Sequence, residues 1–424
     1  MRVLVVGAGG REHALAWKLS REGSVSEVLC APGNAGIAAV ARVVPVQAGD
    51  VESLAALATR ERIDLTVVGP ELPLERGIVD LFGSRGLRIF GPSRAAARLE
   101  CSKVFAKDFM SRHGIPTARY RVCSDPGTAR RTIASGELGV PVVVKADGLA
   151  AGKGVVVARD AAEANEAIRE LMEERRFGEA GTRVVLEECL SGPEVSFFAL
   201  CDGRRAVPLM TAQDHKRVYD NDEGPNTGGM GAFAPSPLID AAQRDRIMRE
   251  VIEPVMAGMR ADGHEYRGFL YAGLMMTCSG PRVIEFNVRF GDPEAQVVIP
   301  MIDNELAPHL EAAADGALTG PPHFNSMKHV GVVLVSTGYP SSSSASVPIT
   351  GIAQAEQIEN VLVFHAGTSA ISSDTLTAGG RVLTVVGRGD SYESAIERAY
   401  AGVKEISFEG MHHRRDIGRK ALAS

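Results

Sequence analysis

Within its first 101 residues the chain builds one pattern four times: a short apolar run that ends in a glycine- or proline-rich loop. Val3-Leu4-Val5-Val6 leads into Gly7-Ala8-Gly9-Gly10, and Val28-Leu29-Cys30 into Ala31-Pro32-Gly33-Asn34-Ala35-Gly36. Residues 63–68 lead into Gly69-Pro70-Glu71, and Arg88-Ile89-Phe90 into Gly91-Pro92-Ser93. Helical segments intervene, one over 11–19 and one that Asp50 can cap, carrying Leu54 and Leu57. Strands alternating with helices predict an α/β unit with a doubly wound parallel sheet. Such sheets take their ligands beyond the carboxyl ends of the strands, where these four loops lie.

The first loop invites a dinucleotide reading, but a G-x-G-x-x-G fingerprint needs a glycine where Glu12 stands. A glycine turn opening a helix can instead hold a single phosphate, or serve only as a tight turn.

A chain of 424 residues suggests about three domains. Residues 1–101 form the first unit, 102–326 a second of changed character, and 327–424 a third. In the third, strands are expected at 330–335, 361–365 and 381–386. A helix there carries Ala395, Ile396, Ala399, Tyr400 and Val403 at helical spacing, which reads as core packing. The net charge is −6 with no basic block, which argues against a nucleic-acid partner. Six scattered cysteines without a C-x-x-C pair fit reduced thiols and a cytoplasmic protein. No secretory leader and no run of about 18 apolar residues is visible, so no membrane partner is expected.

The chemistry concentrates in four places. In the run from Val283 to Glu294, Ile284, Phe286 and Val288 alternate with Glu285, Asn287 and Arg289. A strand sends alternate side chains to opposite faces, so an acid, an amide and a guanidinium share one face. Glu and Asn oxygens suit Mg²⁺, and an arginine beside them suits a phosphoryl group or another anion. An edge strand with a solvated polar face would show the same alternation. Second, Lys145 ends an apolar strand and Lys153 lies between Gly152 and Gly154. Two ammoniums from a strand end and a closing loop fit a triphosphate. This is not a Walker A loop, because Gly154 replaces its Ser or Thr. Third, backbone groups at the strand end Glu187-Glu188-Cys189-Leu190 can pair with an adenine edge, and Glu194 can accept from ribose hydroxyls. Fourth, Gln213-Asp214-His215-Lys216-Arg217 and the glycines of 224–231 flank one loop. Asp214 can bind a primary ammonium, and Lys216 and Arg217 an anion. His412-His413 reads as surface rather than as metal ligands.

Together, the motifs Gly9-Gly10-Arg11-Glu12-His13-Ala14, 31–36, 68–71, 145–154, 213–217, 224–231 and 285–294 resemble the phosphoribosylamine–glycine ligase (glycinamide ribonucleotide synthetase) family of the ATP-grasp superfamily. The resemblance spans Met1 to about Gly418. It implies an N-terminal substrate-binding α/β domain, central ATP-grasp domains with a lid at about 124–190, and a small C-terminal α+β domain. It also implies ATP-dependent ligation of glycine to 5-phosphoribosylamine through glycyl phosphate, with Mg²⁺ or Mn²⁺ as cofactor and small molecules as partners, in a monomer or weak homodimer. Carried over residue by residue, Glu285 and Asn287 become metal ligands, and Lys103, Lys145 and Lys153 phosphate contacts. Glu187, Glu188, Leu190 and Glu194 become the nucleoside pocket. Arg289, Lys153 and Asp214 become catalytic. Gly9, Gly10, Asn34, Glu71, Asp214, Lys216, Gly229 and Asp292 become substrate contacts. There are departures: Ala8 stands where a polar residue is expected and Val288 where a cysteine is common. The strand expected over 269–277 carries no acid to serve as a third metal ligand. The rival readings are another ATP-grasp ligase or a carboxylase of the same pathway, a dinucleotide-dependent oxidoreductase, and a non-catalytic nucleotide-binding protein.

Overall fold

The computed structural model describes residues 1–149, 154–343, 346–372 and 374–422. Its N-terminal sheet is wholly parallel. The strands run in the order Arg42–Val43, Glu27–Pro32, Arg2–Gly7, Leu65–Val68 and Ile89–Phe90. The four strands read from the sequence are all present. The fifth, Arg42–Val43, is two exposed residues and leaves no apolar signature. Strand order reverses beside Arg2–Gly7, so the loops after this strand and after Leu65–Val68 part and open a crevice. Asp50 caps helix Val51–Arg60, its Oδ1 accepting from the Ser53 amide at 3.1 Å.

Two antiparallel four-stranded sheets form the middle of the molecule. The first orders Tyr120–Cys123, Val184–Glu188, Val142–Ala146 and Val155–Ala158, with helices Pro126–Ser135 and Ala161–Ile168 covering its own small core. The second orders Ala206–Pro208, Glu194–Asp202, Arg267–Thr277 and Gly280–Asn287. Strand Glu194–Asp202 shows why this sheet and the N-terminal one form one body. Phe197 and Ala199 pack in one core with Leu4 and Val6, whereas Phe198 and Leu200 pack in another with Val3 and Val5. Period-two alternation in both strands thus feeds two cores, one on each face.

The C-terminal sheet orders Gln213–Asp214, Gly231–Ala234, Lys328–Val335, Arg381–Gly389 and Val361–His365, packed by helix Tyr392–Glu405. Two of its strands therefore come from the glycine-rich segment far upstream of residue 327. That ribbon ties the third unit to the middle of the chain and carries Asp214 with it. All six cysteines are free thiols. No helix among the described residues is long and apolar enough to cross a membrane.

Candidate active site

A cleft of about 380 Å³ lies where the three parts meet. Its walls include Arg11 and Glu71 from the first turns of N-terminal helices, Lys103 and Lys145 from the middle, and Arg381 from the C-terminal sheet. Strand Gly280–Asn287 is an edge strand, as the plain reading of its alternation has it. Its polar face nevertheless does not look onto open surface, because Glu285, Asn287 and Arg289 all line the cleft. On the other face Phe286 and Val288 are buried in core, while Ile284 is only half-buried. The strand ends at Asn287, so Arg289 lies just beyond it.

At Glu285, no described residue donates a hydrogen bond to the carboxylate. Burial raises this carboxyl, but Lys216, Lys145, Lys103 and Arg289 outweigh that and hold it below its ordinary value. The result is an ionised, unpartnered carboxylate facing cations, with the Asn287 amide oxygen two residues on. These hard oxygen donors fit Mg²⁺. Directly opposite Glu285 on the neighbouring strand is Gly273, and among the described residues no group of three His, Cys, Asp or Glu gathers to hold a metal. A cation there would draw its remaining ligands from water or phosphate oxygens, the usual shell of Mg²⁺ in phosphoryl transfer.

Arg289 is held on several sides. Its Nε donates to Glu71 Oε2 at 3.1 Å, its Nη2 to Asn287 Oδ1 at 3.2 Å, and Nη2 also pairs with Glu100 Oε1 at 2.8 Å. The other Glu100 oxygen accepts from the Val288 amide at 2.7 Å. Burial holds the Glu100 carboxyl above its ordinary value despite Arg289. Glu100 orients this arginine, and the sequence reading missed it.

The lysine end of the cleft is built around Glu187. Its carboxylate, nearly fully buried, takes Lys145 Nζ at 3.0 Å on one oxygen and Lys107 Nζ at 2.8 Å on the other. Lys145 also donates to the Ile284 carbonyl at 3.1 Å, and Lys107 to Thr117 Oγ1 at 2.7 Å. Burial, only partly offset by Glu187, brings the Lys107 ammonium down to about 8. Lys107 was not singled out from the sequence. It sits mid-helix in Lys103–Arg112, where a lysine normally reads as solvated surface. Lys103, at the start of that helix, donates to the Gly148 carbonyl at 2.9 Å. Burial lowers its ammonium. Lys153 lies outside the described residues.

Alternation along Val184–Glu188 separates the two adjacent acids. Glu187 points into the cleft, while Glu188 accepts from the Arg119 amide at 2.9 Å and pairs with Arg119 Nε at 2.6 Å. Leu190 is half-buried, and Glu194 is exposed and pairs with Lys216 Nζ at 2.7 Å. Asp214 and Lys216 both line the cleft, and His215 between them is fully buried behind it. Burial, opposed by Lys216 and reinforced by Glu294, Glu194 and Glu285, pushes the Asp214 carboxyl up to about 7.

The N-terminal turn is occupied by its own chain. Glu12 is buried, and its Oε2 accepts from the Gly9 amide at 2.5 Å while Oε1 accepts from Arg11 Nε at 2.6 Å. A Cβ at Gly69 would lie 2.0 Å from Glu12 Oε1, so the glycine there makes room for this carboxylate. An acid in that position repels a pyrophosphate, which removes the dinucleotide reading. Gly10 opens helix Gly10–Leu19. Asp292 approaches Gly9 closely: a Cβ built there would be 3.2 Å from its Oδ2. Asp292 Oδ1 accepts from Gln296 Nε2 at 2.8 Å. Gly229 has φ +112°, and a Cβ there would meet the Pro293 ring at 2.5 Å. Asn34 does not reach the cleft lining. Its Nδ2 donates to the carbonyls of Ala8 at 2.8 Å and His365 at 2.9 Å, and its Oδ1 accepts from the Ile37 amide at 2.9 Å, so it clamps the N-terminal loops to the C-terminal sheet. His412 is likewise structural, its Nε2 lying 3.0 Å from the Val218 carbonyl.

Comparison with known proteins covers the whole chain. Family models for phosphoribosylglycinamide synthetase match in three consecutive pieces: the N domain over residues 1–100, the ATP-grasp (A) domain over 101–295 and the C domain over 329–420. A phosphoribosylamine–glycine ligase of Xanthomonas axonopodis pv. citri is 52% identical, covering 100% of this chain and 98% of its own length. That of Ralstonia nicotianae is 49% identical over 100% of both chains. The crystal structure of phosphoribosylamine–glycine ligase from Thermotoga maritima superposes with a TM-score of 0.86 at 34% identity, covering 98% of this chain and 100% of that one. A biotin carboxylase from Campylobacter jejuni shares the fold at 16% identity and a TM-score of 0.73, over 100% of this chain and 94% of its own.

Proposed function

The chain belongs to the phosphoribosylglycinamide synthetase family, and from that premise we propose how its cleft carries out the reaction. It is a ligase forming a C–N bond, and it joins glycine to 5-phosphoribosylamine at the expense of ATP in purine biosynthesis. Glycine's carboxylate oxygen attacks the γ-phosphorus of ATP and ADP leaves. The amine of phosphoribosylamine then attacks the carbonyl of glycyl phosphate. Inorganic phosphate departs, the nitrogen loses a proton, and an amide remains.

Each end of the cleft has a part in this. Lys103 and Lys145, and by the family resemblance Lys153, neutralise the ATP phosphates. Lys107 positions Lys145 through Glu187. The strand end from Glu187 and Glu188 to Leu190 takes the adenine, and Glu194 the ribose. Glu285 and Asn287 would hold a divalent cation, Mg²⁺ or Mn²⁺, which when bound would neutralise charge on the transferring phosphoryl group. Asp214 holds the glycine ammonium, with Lys216 fixing its neighbourhood. Arg289, oriented by Glu71 and Glu100, faces the carboxylate under transfer. Asp292 lines the cleft toward the ribosylamine, Gly9, Gly10 and Gly229 are the substrate contacts behind it, and Asn34 keeps these loops in place. Orientation of this kind replaces much of the entropic barrier between bound reactants, and a closed cleft keeps water from the acyl phosphate. We take the enzyme to be cytoplasmic, with small molecules as its partners, and to act as a monomer or weak homodimer.

The observation that carries the reading is Glu285, an ionised carboxylate with no hydrogen-bond partner among the described residues, set opposite Lys103, Lys145 and Lys216 in a cleft lined by all three parts of the chain. The test is ADP release. It is expected to require glycine and freshly generated phosphoribosylamine together. ADP release driven by bicarbonate in place of glycine would favour a carboxylase instead.

A further inference from the structure

Two cations that line the cleft, Arg11 and Arg381, have no part in that chemistry, and Arg11 is turned to Glu12 and the Phe290 carbonyl. Arg381 opens strand Arg381–Gly389, and its Nη1 donates to the carbonyls of Gly228 at 2.7 Å and Asp292 at 2.6 Å and lies 3.3 Å from Asp292 Oδ1. Its Nε and Nη2 meet no acceptor among the described residues, and the side chain is 22% exposed. Arg381 separates the main cleft from a second pocket of about 420 Å³, and lines both. The described lining of that pocket holds no carboxylate. It offers Arg381, the Tyr339 hydroxyl and the hydroxyls of Ser341 and Ser342. Tyr339 accepts from the Gly228 amide at 2.9 Å through its oxygen, which leaves its own proton to donate.

The main cleft, by contrast, is crowded with Glu71, Glu100, Glu187, Asp214, Glu285 and Glu294. Its lysine end is taken by ATP. Toward Arg381 a second dianion leaves those carboxylates behind, because Asp292 is already paired with the arginine. A guanidinium held by one nitrogen and open at the others suits a phosphate, which it can grip at two oxygens. Asp292 lies against Gly9, so this end of the cleft adjoins the N-terminal turn. We propose that Arg381, with the Tyr339 hydroxyl, binds the 5-phosphate of phosphoribosylamine, so that the C-terminal sheet selects the phosphorylated sugar. This rests on the ligase reading above.

The test uses full-length protein and two stable ligands: glycinamide ribonucleotide, and glycinamide riboside, which differs only in lacking the phosphate. Calorimetry on the wild type should show the ribonucleotide preferred. In Arg381→Met, ribonucleotide affinity should fall about 10- to 100-fold, the loss of a charge-assisted contact, with riboside and MgATP affinity unchanged. Arg381→Lys should retain part of the preference. Tyr339→Phe should weaken the ribonucleotide alone, which serves if Arg381→Met does not fold. An equal loss for both ligands, or a preference that survives Arg381→Met, would make Arg381 a structural link and overturn the proposal. A wild type that binds neither ligand and forms no ribonucleotide would overturn the ligase reading itself.

Discussion

Replacing Glu285 by glutamine removes one unit of charge and almost nothing else. No described residue donates to its carboxylate, so the amide orphans no partner. Burial of the site disfavours the charged form, yet Lys216, Lys145, Lys103 and Arg289 hold the carboxyl low. Its folded-state value lies below the unfolded one. The carboxylate therefore contributes stability at neutral pH that is lost as pH falls through the folded value, and Glu285→Gln lacks that component. The site is open to solvent on one side, so the loss is small, and Tm should move by less than about 4 °C. Turnover should respond very differently. Neutralising a metal ligand removes several kcal/mol of charge stabilisation during phosphoryl transfer, and about 1.4 kcal/mol is tenfold in rate, so kcat should fall by about 100- to 1,000-fold or more. The assay is ADP release at saturating ATP and glycine over a Mg²⁺ titration, with a melting curve on the same sample. Wild-type turnover of the variant at saturating Mg²⁺ would refute the metal assignment. So would a collapse of Tm that accounts for the lost activity.

Two further outcomes follow from the cleft. Asp214 is raised to about 7, and only its ionised form pairs with an ammonium, so kcat/KM for glycine should rise with pH through about 7 and level off above it; a profile in Asp214→Asn with the same inflection would assign that titration elsewhere. Lys107→Met leaves Glu187 with Lys145 as its one ion-pair partner, so stability should drop by about 3 kcal/mol and KM for ATP should rise while KM for glycine holds; thermal unfolding with and without MgATP, beside steady-state kinetics, measures both, and an unchanged KM for ATP would leave Lys107 a purely structural group.

What could be read from the sequence were features with a local signature. The parallel sheet showed itself as β-branched runs meeting glycine loops. Strand Val361–His365 lies where it was expected, because apolar residues fill it. Glu285, Asn287 and Arg289 were legible as one polar face because period-two alternation survives folding. Residues that act through distant partners were not. Glu100 and Lys107 lie on helices whose patterns mark neither, and their importance appears only when Arg289 and Glu187 arrive from strands far along the chain. Arg381 was seen only as the start of a strand. The pairing of Gln213–Asp214 and Gly231–Ala234 into the C-terminal sheet was hidden because two- to four-residue strands among glycines have no periodicity to read.

The central claim is that glycine's carboxylate takes the γ-phosphoryl group before the amide forms. Glycine labelled with ¹⁸O in both carboxylate oxygens tests it directly, in a single-turnover reaction with ATP and fresh phosphoribosylamine. The account predicts ADP as the sole nucleotide product, one ¹⁸O in the released inorganic phosphate and the other retained in the amide. Phosphate free of label, or AMP with pyrophosphate, would contradict it.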